Sequence, residues 1–291
     1  MDAFLHDMAW VIPLRSDAAT TVFQAFTALG YLPFYLLVLP LGYWLWDKVM
    51  FTRLALVILT SALINGFLKD LFDDPRPAVE YALDGRVGDS FGLPSGHAQL
   101  AVVTWFWFAR EFGRAWFWPI AAMIVVGICF SRLYLGVHDV EDVLVGAAIG
   151  TLSLGVFTFL LSERMHRWRT LDGRAQLLAL LAVQPPLWWL WPEPDGPGEV
   201  FAVGAFITGW WAGVLIDRRS MDFKRHPSWW RAALAAVLGL YAVFGLAGVL
   251  EAPLLAVGLG ADLVRWLQTG LMALFITGIA PWLFRVARLG H

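Results

Sequence analysis

The sequence predicts an all-α protein, a polytopic transmembrane helical bundle with about nine spans. Hydrophobic residues make up 59% of the 291 residues and charged residues only 15%, whereas an average soluble domain has about 25% charged residues. The apolar residues form runs close to the ~20 residues that a spanning helix needs. Because lipid cannot satisfy unpaired backbone groups, apolar runs of this length form helices and not open strands.

Nine apolar runs are candidate spans: 31–47, 52–69, 97–112, 115–131, 139–162, 174–192, 199–217, 229–250 and 263–286. The first 30 residues lack the basic start and apolar core of a signal peptide. Their charges alternate with short apolar stretches, which is typical of amphipathic helices at a membrane interface. We therefore predict interfacial N-terminal helices over 1–30, a helical core over 31–163 and a C-terminal transmembrane extension over 164–291.

The charge distribution predicts an orientation and excludes several classes of protein. Fifteen of the 21 Lys and Arg residues follow the odd-numbered spans, which predicts that this side is cytoplasmic, with the amino terminus outside and the carboxyl terminus inside. The outer loops instead collect acids such as Glu193 and Asp195. A net charge of -2 without a basic stripe excludes a nucleic-acid binder. The single cysteine, Cys129, excludes a disulfide scaffold.

Three polar segments fall on the predicted outer face. They are 69–77 at the end of the second span, 93–97 at the start of the third, and 131–142 between the fourth and fifth. Within the neighbouring spans, Asn65 and Gln99 are candidates for a hydrogen bond between helices. The shared side predicts that the three polar segments form one site.

The cations and the helix start in these segments are suited to binding an anion. Lys69, Arg76 and Arg132 are three positive charges with few acids able to pair all of them. Ser95 and Gly96 stand at a predicted helix start, where N–H groups are free and the helix dipole favours negative charge. The pattern therefore predicts a phosphate site.

Two histidines and one carboxylate supply the chemistry. His97 and His138 can carry protons near neutral pH, and Asp142 follows His138 by four residues, so the two share a face if both are helical. A carboxylate on one imidazole nitrogen fixes the tautomer and makes the other nitrogen a better nucleophile. The set predicts phosphoryl transfer without a metal, in which one histidine attacks phosphorus and the other protonates the leaving oxygen.

Acidic residues in the outer loops offer an alternative, because carboxylates suit hard metal ions. They are Asp73, Asp74, Glu80, Asp84, Asp89, Asp139 and Glu141. The competing interpretation is that these acids lie in a solvated loop or form pairs that tune the site, and we expect no metal or other cofactor.

The spacing of the three segments, Lys-x6-Arg-Pro, Pro-Ser-Gly-His and Ser-Arg-x5-His-x3-Asp, resembles the signature of the type 2 phosphatidic acid phosphatase superfamily, with the matching core at roughly residues 20–163. The resemblance implies a phosphatase core within a bundle of membrane helices and hydrolysis without a metal. It implies that His138 is the nucleophile and forms a phosphohistidine, that Asp142 orients it, and that His97 is the general acid. The implied phosphate ligands are Lys69, Arg76, Ser95, Gly96 and Arg132. The run 131–138, together with the further spans of the C-terminal extension, is loosely similar to the sphingosine-1-phosphate phosphatase and glucose-6-phosphatase branches.

The expected function is that of an integral membrane lipid phosphate phosphatase, which hydrolyses a phosphomonoester or pyrophosphate at the outer interface. Its expected partners are the lipid phosphate and the surrounding lipids, and the sequence leaves the oligomeric state open. Because the chain has no eukaryotic sorting tail, we expect a bacterial inner membrane with the site facing the periplasm. The alternatives are a phosphotransferase with the same intermediate, a phosphatase for a water-soluble sugar phosphate, and a non-catalytic transporter or lipid scaffold.

Overall fold

The computed structural model describes residues 5–88, 90–161, 171–192, 198–249 and 258–291, with the side chains of 198–200 and 247–249 left out. Helices dominate these ranges and no β-strand occurs within them. The predicted all-α class is therefore confirmed. Three acids considered in the sequence analysis, Asp89, Glu193 and Asp195, lie outside the described residues.

The helices follow the predicted apolar runs. A short 3-10 helix, Ala9–Leu14, precedes α1 (Asp17–Ala28), α2 (Leu32–Leu45), α3 (Lys48–Phe72), α4 (Gly96–Phe112), α5 (Phe117–Tyr134) and α6 (Val140–Leu160). They are followed by α7 (Gly173–Trp189), α8 (Gly198–Ser220), α9 (Trp229–Val249), α10 (Ala261–Leu274), a π-helical turn (Phe275–Ile279) and α11 (Ala280–Val286). Each predicted run thus corresponds to one helix, and the last run corresponds to α10, the π-helical turn and α11 together.

The predicted count of nine spans is not confirmed. Among the described residues, five helices are long and apolar enough to cross a membrane, or six if the bent pair α1 and α2 is one broken span. Helices α4 and α7 have only 17 residues each, a length of about 25 Å at 1.5 Å per residue. This is shorter than the hydrocarbon core of about 30 Å. A polytopic helical membrane protein is nevertheless supported.

The chain forms two compact units, residues 1–35 with 60–165 and residues 36–59 with 166–291. In the first unit α4 packs against α5 and α6, and α1 packs against α5. The predicted bond between helices is confirmed, because Asn65 Nδ2 donates to Gln99 Oε1 at 2.9 Å. Gln99 Nε2 in turn donates to Ser61 Oγ at 2.8 Å. The domain boundaries drawn from the sequence stay a prediction.

The second unit is centred on α8, which packs against α7, α10 and the π-helical turn. A π-helical turn disturbs the regular backbone ladder, and side-chain hydrogen bonds connect this turn to other helices of the unit. Trp44 Nε1 donates to Ile276 O at 2.7 Å, while Thr277 Oγ1 donates to Trp210 O at 2.9 Å. These contacts give the unit its own polar connections within an apolar interior.

The close approach of α6 to the start of α4 depends on a glycine. A Cβ added at Gly146 would lie 2.5 Å from Ser95 O, whereas one added at Gly155 would meet nothing within 4 Å. We expect Gly146→Ala to lower stability by about 1–3 kcal/mol, because backbone must move to relieve the overlap. Gly155→Ala is the matched control and should be neutral or stabilising by up to ~1 kcal/mol. Thermal unfolding of both variants in detergent measures the difference, and equal midpoints would contradict the close contact.

Candidate active site

The predicted site residues all belong to the first unit and lie at or near helix ends. They are Lys69 in the last turn of α3, Arg76 in the next loop, Ser95, Gly96 and His97 at the start of α4, Arg132 in the last turn of α5, and His138 and Asp142 at the start of α6. The backbone N–H of Ser95 donates to Asp142 O at 2.9 Å, which joins the starts of α4 and α6. The structure therefore brings the three polar segments together.

The pair of His138 and Asp142 is formed by a helix cap. His138 precedes Asp139, the N-cap of α6, so it is not itself helical as the four-residue spacing predicted. Asp139 and Asp142 form a capping box, in which each side chain accepts the other's backbone N–H. This box directs the Asp142 carboxylate toward His138, the residue before the N-cap. His138 Nδ1 lies 2.8 Å from Asp142 Oδ2. Both side chains are buried.

The partners of His138 fix its tautomer. Arg76 Nη1 lies 3.1 Å from His138 Nε2, and a guanidinium can only donate. His138 Nε2 must therefore accept, so the proton of the neutral ring is on Nδ1 and is donated to Asp142. The lone pair of Nε2 faces Arg76, and a phosphate that binds Arg76 would arrive beside this nitrogen.

The loop before α4 lies against the same cations. Lys69 Nζ donates to Phe91 O and, at 3.1 Å, to Gly92 O. Arg76 donates from Nε to Ser90 O at 2.6 Å and from Nη2 to Ser90 Oγ at 2.9 Å. These bonds hold residues 90–92 beside the site. No motif surrounds Ser90, so its place at the site could not be predicted from the sequence.

The amino-terminal turn of α4 is directed toward the site. Ser95 Oγ accepts from Ala98 N at 3.5 Å as the N-cap. The N–H groups of Gly96 and His97 belong to the first turn, which has no intrahelical acceptors. They are suited to an anionic oxygen, as helix starts in general are.

Arg132 and His97 lie on the side of the site nearest the N-terminal segment. Arg132 is 1% exposed, and its Nη1 donates to Thr27 Oγ1 and, at 3.3 Å, to Asp84 Oδ2. The His97 ring meets the Tyr31 ring edge-on, with 4.5 Å between centroids. Thr27 and Tyr31 were missed because no motif surrounds them, whereas Asp84 was considered only as an acidic loop residue.

The acidic residues weighed for a metal site have other contacts. Asp84 pairs with Arg132 and Arg86, while Asp139 and Glu141 contact His6 at 2.7 and 3.2 Å. Within the described residues, no group of three or more His, Cys, Asp or Glu side chains is arranged to hold a metal ion. The pairing interpretation therefore accounts for Asp84, Asp139 and Glu141.

Burial, followed by the nearby charges of Arg76, Lys69, Arg132 and His97, lowers the pKa of His138 well below its ordinary value of 6.5. We therefore expect the imidazole of His138 to stay neutral at pH 6 in the free protein. The chain has six histidines, so ¹⁵N-histidine NMR in detergent, with His138→Gln as the assignment control, can follow this ring. A titration midpoint at or above 6.5 for His138 would contradict the expectation.

The chain is similar to known proteins. The PAP2 superfamily model matches residues 51–166, and a second model, the PAP2 superfamily phosphatase transmembrane extension, matches residues 201–291. The chain is 32% identical to sphingosine-1-phosphate phosphatase 2 of Homo sapiens over 227 residues, which are 71% of this chain and 55% of that protein. It is 27% identical to lipid phosphate phosphatase delta of Arabidopsis thaliana over 212 residues, 66% of this chain and 50% of that protein.

A solved structure is also similar, the transmembrane PAP2 type phosphatidylglycerolphosphate phosphatase from Bacillus subtilis. Its TM-score is 0.45 at 24% identity, covering 54% of this chain and 84% of that chain. The chain spans about half the length of the curated relatives described above. The first family model begins at residue 51, so residues 20–50, which the motif resemblance included, lie outside it. The two models cover both the three-segment site and the C-terminal helices, and this chain therefore belongs to the PAP2 superfamily.

Proposed function

We propose that the protein is a lipid phosphate phosphatase that hydrolyses a phosphomonoester or diphosphate through a phosphohistidine on His138, without a metal. The observation that carries the proposal is the environment of His138. Asp142 accepts from Nδ1 at 2.8 Å, and Arg76 occupies the lone pair of Nε2 at 3.1 Å. An oriented imidazole whose free nitrogen faces a phosphate-binding cation is the arrangement that nucleophilic attack on phosphorus requires.

The first chemical step transfers the phosphoryl group to the enzyme. The phosphate oxygens bind Lys69, Arg76, Arg132 and the N–H groups at the start of α4, and Arg76 exchanges its bond to His138 for one to phosphate. The Nε2 lone pair then forms a bond to phosphorus as the bond to the leaving oxygen breaks, and His97, which enters this step as the imidazolium, donates its proton to that oxygen and becomes neutral. The fixed cations stabilise the negative charge that spreads over the phosphoryl oxygens.

The second step releases phosphate. Water attacks phosphorus, the bond between Nε2 and phosphorus breaks, and His97 takes the proton of the water. His138 is returned as the neutral ring with its proton on Nδ1. If an alcohol instead of water attacked the phosphohistidine, the phosphoryl group would pass to that alcohol and the enzyme would be a phosphotransferase. The two functions therefore differ only in the acceptor of the phosphoryl group.

Two features support a lipid as the substrate. Lys69, Arg132 and Asp142 lie in the end turns of helices that are candidate spans, and the headgroup of a lipid lies at the level of such helix ends. The names of both relatives refer to lipid phosphates. We further propose that the site faces the outer side, the periplasm in a bacterium, because most Lys and Arg residues lie on the opposite side of the predicted topology.

A phosphate-release panel tests the function. The purified protein in detergent is given phosphatidic acid, phosphatidylglycerol phosphate, an isoprenyl pyrophosphate, a sphingoid phosphate and glucose phosphate, with and without a chelator. We expect release from at least one lipid, inhibition by vanadate and no effect of the chelator. Release from the sugar phosphate alone would contradict a lipid substrate, and phosphate release below substrate consumption would indicate transfer to an acceptor.

A further inference from the structure

Asp84 is the centre of a buried polar cluster next to the phosphate site. It is 4% exposed and lies in the loop between the first two motifs. Its Oδ2 accepts from Tyr31 OH at 2.6 Å and from Arg132 Nη1 at 3.3 Å. Its Oδ1 accepts from Arg86 Nε at 2.8 Å. One carboxylate thus connects a predicted phosphate ligand to the N-terminal segment and to the loop surface.

The carboxylate of Asp84 is ionised at neutral pH. Burial alone would raise its pKa, but hydrogen bonds from Arg86 and Tyr31, together with the charge of Arg132, lower the pKa of Asp84 to about 2. Asp84 therefore carries a permanent negative charge opposite Arg132. A charged pair with both members buried has a fixed geometry, since each loses much if the other leaves.

Tyr31 extends the cluster to His97. The Tyr31 ring stands edge-on to His97 at 4.5 Å and beneath the Arg86 guanidinium at 4.3 Å. On the same turn, a Cβ added at Gly30 would lie 2.3 Å from His97 Cδ2, so the imidazole packs directly on the backbone. Tyr31 and Gly30 therefore define the ring position of the predicted general acid.

The contacts of Arg132 and His97 leave specific atoms available. Thr27 and Asp84 both accept hydrogen bonds from one atom of the Arg132 guanidinium, Nη1. Within the part of the chain that is described, Arg132 Nε and His97 Nε2 are both buried without a hydrogen-bond partner. Buried polar atoms are nearly always satisfied, so these two atoms mark positions where an oxygen of a bound ligand completes the network.

We propose that Asp84, assisted by Thr27 and Tyr31, is a positioning residue that presents Arg132 to the substrate phosphate and aligns His97 with it. The inference rests on the proposed function. Two of these residues lie before residue 51, where the family model begins, so the N-terminal segment would be part of the working site and not only an interfacial helix.

Binding of vanadate, a phosphate mimic, tests the proposal independently of turnover. Calorimetry in detergent compares the wild type with Asp84→Asn, which keeps the volume and removes the charge. We expect vanadate binding to weaken by about 10-fold or more. Loss of a group that orients a ligand-binding side chain has an effect of this size at metal sites, and Asp84 would orient Arg132 in the same way. Glu80→Gln is the matched control, because it removes an exposed acid from the same connection between α3 and α4. It should change vanadate binding by less than about 2-fold, as surface substitutions usually have small effects.

A double-mutant cycle separates positioning from a general effect on folding. If Asp84 acts through Arg132, Asp84→Asn should have almost no further effect on vanadate binding in an Arg132→Ala background. An equal loss in both backgrounds, or wild-type affinity of Asp84→Asn, would overturn the proposal. Failure of the wild type to bind vanadate would instead contradict the phosphate site itself. Tyr31→Phe provides a second variant if Asp84→Asn does not fold, and it should weaken vanadate binding in the same background-dependent way.

Discussion

His138→Ala is expected to lose phosphate release by at least ~10³-fold, because the variant has no group that can accept the phosphoryl group. Asp142 and Arg76 converge on this ring from opposite nitrogens, and no other imidazole has that pair of contacts among the described residues. The loss should appear in kcat, since the cations that hold the substrate phosphate remain. Initial rates with the best lipid of the panel measure it.

His138 is 2% exposed, so the alanine variant also leaves a cavity. His138→Asn is the second variant, since its amide can still donate to Asp142 while it cannot act as the nucleophile. Both variants should bind vanadate less tightly but keep a cooperative thermal transition in detergent. Substantial turnover by either folded variant would contradict the assignment of His138.

His97→Gln is expected to reduce the hydrolysis of an alkyl phosphate by about 10²–10⁴-fold, the usual contribution of a general acid. The alkoxide of a lipid alcohol is a poor leaving group and needs the proton that His97 Nε2 would supply. That atom is buried without a partner in the described part of the chain, as a group awaiting a substrate oxygen would be. Steady-state rates on a sphingoid phosphate measure the loss.

The leaving group separates proton donation from a packing role of His97. With 4-nitrophenyl phosphate the leaving oxygen needs no proton, so the His97→Gln defect should shrink to a small fraction of its size on the alkyl ester. A packing role would affect both substrates alike. An equal defect on the two substrates would therefore contradict the general-acid assignment.

Much of the fold could be predicted from the sequence because its strongest signal is hydropathy. Each apolar run corresponds to a helix, and the polar pair of Asn65 and Gln99 meets as expected. The number of spans could not be predicted in the same way. A run of apolar residues indicates a helix but does not show whether the helix is long enough to cross a membrane. Helices α4 and α7 have 17 residues each, fewer than the ~20 that a spanning helix needs.

The candidate site was predictable where chemistry depends on motif spacing, and not where it depends on tertiary contact. His138 and Asp142 meet because of a capping box with Asp139, not because both are helical. Asp84 could have been found as an acid between two motifs, but only the fold pairs it with Arg132. Thr27 and Tyr31 lie more than 100 and 60 residues from their partners Arg132 and His97 in the sequence, so local pattern carries no sign of them.

Trapping the phosphorylated enzyme tests the central claim most directly. The protein is mixed with a ³²P-labelled lipid phosphate, quenched in alkali during turnover and digested, and the labelled peptide is located by mass spectrometry. We expect an acid-labile, base-stable phosphate on His138 that is absent from His138→Asn and is chased by unlabelled substrate. Label on any other residue, or rapid turnover in which His138 never carries phosphate, would contradict the account.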